Sequence, residues 1–281
     1  MSSIEPYQLL QIFLIFCVSG TFAGTLAGLL GIGGGIIFVP VYHYSFIYFF
    51  NMDPGDAIIT ATTTSLFTMI PTSLSSCLSH LRRNNIDKQL FIRWLPFMIV
   101  GVLLGTVFAR LYGGLWLSTL FGCILLFAAV NMIILSKLPP RFENLPKPPL
   151  QYCMPTAIAC LSSMLGIGGG TLTVPTLSLF KYDTVKAIGT AAAIGTVICI
   201  PGALFILVRE IIYPVEIANS PALTLGHIAF LAVLVVLPFS MLMAPVGVAI
   251  NKRMSQSSLK LLYAALLIFT GIKMLLNGLG I

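Results

Sequence analysis

The run Gly31-Ile32-Gly33-Gly34-Gly35, followed by Val39-Pro40, returns 135 residues later as Gly166-Ile167-Gly168-Gly169-Gly170, followed by Val174-Pro175. Each copy interrupts an apolar stretch. Glycine admits positive φ and lets backbone approach a ligand with no Cβ in the way. Where a helix restarts after such a break, its first N–H groups have no intrahelical partner. They point, with the positive end of the helix dipole, at whatever occupies the break. This makes an anion site without a charged side chain. Pro40 and Pro175 follow about one turn later, placed to kink or start short helices. A plainer reading is that the small residues only allow close helix packing in a membrane. The recurrence with the same spacing to Val-Pro favours the site, and makes Gly33, Gly34, Gly35, Gly168, Gly169 and Gly170 the expected substrate-binding residues.

Other polar groups form a second tier. Thr60, Thr62, Thr63, Thr64 and Ser65 fall within one apolar segment, and Thr60 matches Thr190 at an offset of 130. Hydroxyls suit an oxyanion, although they also bond their own helix carbonyls. Thr60 and Thr190 are the expected pair because they match across the repeat. His43, between Tyr42 and Tyr44, is an expected substrate or proton group, or else part of an interfacial aromatic belt. His80 and His227 border loops and read as solvated. Lys273 lies deep in its segment and either reaches the headgroups or faces the bundle, where Asn131 is its counterpart. The eight Asp and Glu residues sit at segment ends or in loops. No HExxH helix, paired carboxylates, Cys/His pair or nucleotide-binding loop is present, which argues against an enzyme and against ATP-driven transport by this chain.

The elements that must position these groups are membrane helices. Hydrophobic residues make up 58%, charged residues 8%, and mean hydropathy is +1.02, against about 25% charge in a typical soluble domain. The first Lys or Arg is Arg82, so residues 7–30 lack the basic flank of a cleaved signal and are expected to be retained. The six cysteines lie in apolar stretches without ligand spacing and read as packing residues; no cofactor or metal is expected. The pI near 9.2 is explained by cytoplasmic loops rather than by nucleic acid.

Apolar segments fall at 7–30, 36–50, 57–79, 94–111 and 115–136, then at 150–165, 171–180, 185–208, 223–250 and 257–277. Full spans need about 20 residues, so the segments directly after the triglycines read as half-crossings. Residues 1–136 form one lobe, 137–149 a proline-rich connector and 150–281 a second lobe. The pairs Ala57/Ala187, Thr60/Thr190, Ala61/Ala191 and Pro71/Pro201 align at an offset of 130, and Gly105/Gly247 and Leu117/Leu259 at 142. If each glycine-broken pair is a hairpin, the second lobe is inverted and 12 of the 15 Lys and Arg share a face, leaving Arg110, Arg209 and Lys273 opposite. If each pair makes a single crossing, the count is 9 against 6. The positive-inside rule favours hairpins, with both termini outside and the connector cytoplasmic. The expected fold is therefore an all-α polytopic membrane protein with two inverted structural repeats. Each repeat has a glycine-broken, re-entrant-like helix hairpin and about three transmembrane helices.

The paired Gly-x-Gly-Gly-Gly-x-x-x-Val-Pro elements, one opening each half, resemble the TauE/SafE family of sulfite and organosulfonate transporters, over essentially the whole chain. The resemblance implies a secondary transporter of a small sulfur-containing anion such as sulfite or an organosulfonate, working as an exporter in the plasma (inner) membrane through two pseudo-symmetric lobes. The expected partners are that anion and the lipid bilayer, with a homodimer left open. A passive anion channel and a carrier of another organic anion, such as a carboxylate, are the alternatives.

Overall fold

The computed structural model describes residues 6–137, 145–180, 182–251 and 253–280; of the expected connector, residues 138–144 lie outside them. Ten helices account for most of the described residues: α1 (Pro6–Leu30), α2 (Gly35–Phe50), α3 (Pro54–Leu81), α4 (Lys88–Leu111), α5 (Leu115–Lys137), α6 (Leu150–Met164), α7 (Gly170–Ser178), α8 (Thr184–Ile212), α9 (Phe230–Asn251) and α10 (Gln256–Gly278). A small antiparallel hairpin, β1 (Thr224–Leu225) with β2 (Ile228–Ala229), leads into α9. Among the described residues five helices, α1, α3, α4, α8 and α9, are long and apolar enough to cross a membrane. Their starts are set locally. Asp53, Asp87 and Asp183 cap α3, α4 and α8 by accepting backbone N–H groups of the first turn, and Pro54 adds a pre-set φ at the start of α3.

Small residues decide which helices touch. On α1, Gly20, Gly24 and Gly28 meet Val236, Ser240 and Ala244 of α9 in the same order, so the two helices run parallel. A Cβ at Gly24 would stand 2.3 Å from the Ser240 carbonyl oxygen. This is backbone contact that only glycine permits. On α4, Gly101 and Gly105 meet Thr156 and Cys160 of α6, again in parallel. Helix α3 runs antiparallel to α8, with Leu66 at Gly202 and Ser73 at Gly195; α5 runs antiparallel to α10, with Thr119 at Gly278 and Leu126 at Gly271. If α1 to α5 are matched in order with α6 to α10, the contact of α1 with α9 becomes that of α6 with α4. The α3–α8 and α5–α10 contacts map onto themselves.

Helix α2 folds back along α1. The Phe16 and Tyr42 rings meet edge to face at 5.3 Å, Ile12 and Phe13 share a groove with Phe46 and Phe50, and Ala23 lies beside Gly34. The turn of this hairpin is the first glycine run. At about 1.5 Å per residue, α2 with 16 residues and α7 with 9 span roughly 24 and 14 Å, short of the ~30 Å hydrocarbon core.

Candidate functional site

The first glycine run turns with φ of +69°, +71° and +91° at Gly31, Gly33 and Gly34. Side chains resist that conformation, which explains the residue type. Helix α2 then begins with the Ile37 and Phe38 N–H groups donating to the Gly34 carbonyl at 3.0 and 3.1 Å. In the second run, Thr171 N–H donates to the Gly168 carbonyl at 3.2 Å and Thr173 N–H to that of Gly169 at 2.9 Å. The amides of Gly34, Gly35, Gly168 and Gly169 precede these bonds, so their own helices offer them no acceptor.

The two runs meet backbone to backbone. A Cβ at Gly33 would lie 3.3 Å from Gly168 Cα; one at Gly35 would press on Gly166 and Ile167, and one at Gly170 on Gly31 and Ile32. The last two contacts are the same contact carried through the 135-residue repeat. Leu26 to Val39 and Ser162 to Gly170 are all buried, so the junction is sealed by protein on every side. Of the six glycines expected from the sequence, Gly33, Gly35, Gly168 and Gly170 are thus set against the opposite run, whereas Gly34 faces Phe38 and Ala23 and Gly169 faces Ile194 and Gly195. Close packing accounts for Gly35, Gly168 and Gly170. At Gly195 of α8 a Cβ would meet only Gly169 N and Ser73 Cβ, both at 3.7 Å, and this leaves methyl-sized room beside the Gly169 amide.

Hydroxyls ring the junction. Ser65 donates to the Gly166 carbonyl at 2.8 Å, Tyr42 and Thr68 share a bond of 2.9 Å, and Thr72 donates to Ser240 at 2.8 Å. Thr62 presses its backbone on Gly166 while its hydroxyl donates to the Ile59 carbonyl. The pair matched by sequence divides: Thr60 is buried with no partner for its hydroxyl among the described residues, whereas Thr190 accepts the Asp87 N–H at 2.9 Å and pins the α3–α4 loop. Thr190's contact is repeated in the other half by Thr64, one turn beyond Thr60, which accepts the Ala229 N–H at 3.1 Å. Asp87 is further held by Tyr182, whose hydroxyl donates to it at 2.5 Å. Burial pushes that carboxyl up, but the bonds from Tyr182 and the Leu90 and Gln89 amides, with Lys186 nearby, leave it below its ordinary range.

His43 is buried, so an interfacial belt does not describe it. Its Nε2 lies 2.7 Å from Asn277 Nδ2 of α10, about 12 Å along α2 from Gly35 by helical rise. It is not brought to the glycine junction. Lys273 sits on the exposed side of α10, where its carbonyl accepts from Tyr44, and Asn131 donates to its own helix at Phe127. His80 and His227, expected in solvent, are buried instead. Glu210 is fully buried too, beside Arg110, Arg209 and His227. Sequence position at a segment end concealed it, because the 213–229 connection folds back over the helix end. The signal was available in the repeat: Glu210 lies 130 residues after His80. Among the described residues no cluster of three or more His, Cys, Asp or Glu side chains could hold a metal.

Among the described residues, five helices long and apolar enough to cross a membrane, in a chain with 8% charged residues, mark a polytopic α-helical membrane protein. The chain belongs to the Sulfite exporter TauE/SafE family, whose profile matches residues 16–274. It is 28% identical to a "Probable membrane transporter protein" of Haemophilus influenzae, over 94% of this chain and 99% of that one. It is 24% identical to the "Probable membrane transporter protein YunE" of Bacillus subtilis (95% and 98% covered) and 26% identical to a probable membrane transporter protein of Methanocaldococcus jannaschii (96% and 98%). No solved structure matches the chain.

Proposed function

We propose that the protein is a secondary transporter exporting a small sulfur-containing anion, sulfite or an organosulfonate, bound by the amides of the two glycine runs. The observation that carries this reading is the meeting of Gly33 with Gly168. Two helix N-termini, whose first amides have no acceptor within their own helices, come together in a low-dielectric interior, where each donor counts for more than in water. The family described as sulfite exporters supports the substrate class. Inverted repeats supply the two-fold relation. Helices α3 and α8 are counterparts that run antiparallel, as are α5 and α10, and counterparts of opposite direction are what inversion produces. On this reading the glycine hairpins enter from opposite faces, with Arg82, Arg83 and Lys88 toward the cytoplasm and Arg110 and Arg209 outside. The burial of both runs favours a gated carrier over an open channel.

The test is thermal stabilisation of purified protein by sulfite, sulfoacetate, taurine, isethionate, thiosulfate and acetate, followed by counterflow in proteoliposomes with the anion that stabilises most. The proposal predicts a sulfur oxyanion and saturable counterflow. Preference for acetate would replace the substrate class, and flux without counterflow would replace the carrier by a channel.

A further inference from the structure

The turn that leads into α4 is repeated, position for position, in the turn that leads into α9. At the offset of 142 that relates these two helices, Asn84 becomes Gly226, Asn85 becomes His227 and Asp87 becomes Ala229. The backbone agrees, with φ of +55° at Asn84 and +53° at Gly226. The contacts agree as well. Asn85 Nδ2 lies 3.2 Å from His80 Nδ1 at the end of α3, and His227 Nδ1 lies 3.4 Å from Glu210 Oε1 at the end of α8. Each turn then reaches the helix of the other half. The N–H of Asp87 donates to Thr190 of α8 at 2.9 Å, and that of Ala229 donates to Thr64 of α3 at 3.1 Å.

On α3 these contacts stand one turn further along than the repeat requires. Thr190 matches Thr60, four residues before the Thr64 that is used. The second glycine run shows the same step. Gly31 packs on the Ile188 backbone, whereas Gly166 packs on Thr62 and not on Ile58, the match of Ile188. Two separate contacts thus share one displacement of four residues, about 6 Å of helical rise. The Thr60 hydroxyl that the displacement bypasses is buried and has no partner among the described residues. A buried hydroxyl left unpaired is costly, and its retention asks for a reason. In a carrier built of inverted repeats, exchanging the conformations of the halves turns a state closed to one face into one closed to the other. Helices in switching proteins do slip by whole turns, because packed interfaces have discrete registers.

We propose that Thr60 is a positioning residue of the transport cycle. Helix α3 slips by one turn against the 226–229 turn and the second glycine run, so that Thr60 takes the Ala229 N–H from Thr64 and Ile58 takes Gly166 from Thr62. The slip gives the first half the contacts that the second half makes here, and it breaks the bond from Ser65 to the Gly166 carbonyl. The 213–229 connection, longer than the 82–87 loop, supplies the slack. The proposal rests on the carrier reading. It is tested with two double variants of the full chain, Thr64→Cys with Ala229→Cys and Thr60→Cys with Ala229→Cys, oxidised in proteoliposomes and read by mass spectrometry of the linked peptides. A disulfide needs Cα atoms within about 7 Å, so the register decides which pair links, and both pairs should. Thr60→Val, which removes no bond of this structure, should keep the wild-type unfolding temperature and KM while slowing counterflow of sulfite or isethionate about fivefold or more, because the slipped state then leaves the Ala229 N–H unpaired. A Thr64 link with no Thr60 link, in protein that still transports, overturns the slip and leaves the transport reading standing. Wild-type counterflow in Thr60→Val overturns it too, and a raised KM at an unchanged maximal rate would replace it by Thr60 as a substrate ligand. A Thr60 link in protein that exchanges neither anion would support the slip and count against the transport reading alone.

Discussion

Gly170→Ala is the sharpest probe of the junction. The new Cβ would be 2.0 Å from the Gly31 oxygen and 2.5 Å from its carbonyl carbon, and contacts below 3.0 Å do not occur, so the two runs must part by about 1 Å. At Gly35 the nearest approach is 2.6 Å, to the Gly166 oxygen, and about 0.4 Å of movement suffices. Neighbouring backbone cannot yield as a flexible side chain does. Overpacking of this kind costs about 1–3 kcal/mol, a factor of roughly 5 to 150 in the folded ratio. Gly170→Ala belongs at the upper end and Gly35→Ala at the lower. Gly195→Ala is the control, because its Cβ meets nothing nearer than 3.7 Å. It should leave thermal stability unchanged and, by filling the space beside the Gly169 amide, still abolish transport. The assays are thermal unfolding in detergent and sulfite counterflow in proteoliposomes. Wild-type stability and counterflow in Gly170→Ala would refute the packing of the junction. Full transport by Gly195→Ala would refute the use of the Gly169 amide.

Three other outcomes are expected. Thr190→Val removes the acceptor of the Asp87 N–H and should destabilise by about 1–3 kcal/mol with the KM for the anion unchanged; a raised KM at full stability would return Thr190 to the binding site. Asp87→Ala loses the α4 cap at about 1 kcal/mol. Because the folded carboxyl titrates below its ordinary range, its stabilisation is complete above the unfolded value and fades as pH falls through the folded one. The wild-type and variant unfolding curves should therefore converge in acid, and a constant gap would contradict this. Gly28→Ala would set a Cβ 1.8 Å from the Ala244 oxygen and should lower the unfolding temperature through the α1–α9 contact, which unaltered melting would disprove.

Much of the helix plan was legible because its causes are local. The expected segments 36–50 and 171–180 match α2 and α7 to within about two residues, since glycine runs and aspartate caps act on their own neighbours. Helix α4 starts at Lys88, six residues before the apolar segment, because Asp87 and not hydropathy sets its first turn. What escaped was non-local. The burial of Glu210 and His227 depends on the 213–229 connection closing over them, and that of His80 on α1 ending at its imidazole. Thr60 and Thr190 share an alignment column yet not a contact, because the loops they face differ in length, and Thr64 inherits the bond. That the two glycine runs meet follows from their repetition; how tightly Gly33, Gly35, Gly168 and Gly170 interlock does not, because carbonyl-to-glycine contact leaves no pattern in composition.

The central claim, that main-chain amides of the two glycine runs hold the anion, is tested most directly by titrating 15N-glycine-labelled protein with the most stabilising anion and following the amide resonances. The account predicts that the signals of Gly33 to Gly35 and Gly168 to Gly170 move together and saturate at one affinity. If these six stay fixed while transport of the same anion proceeds, the glycine junction is a packing device and the anion travels elsewhere.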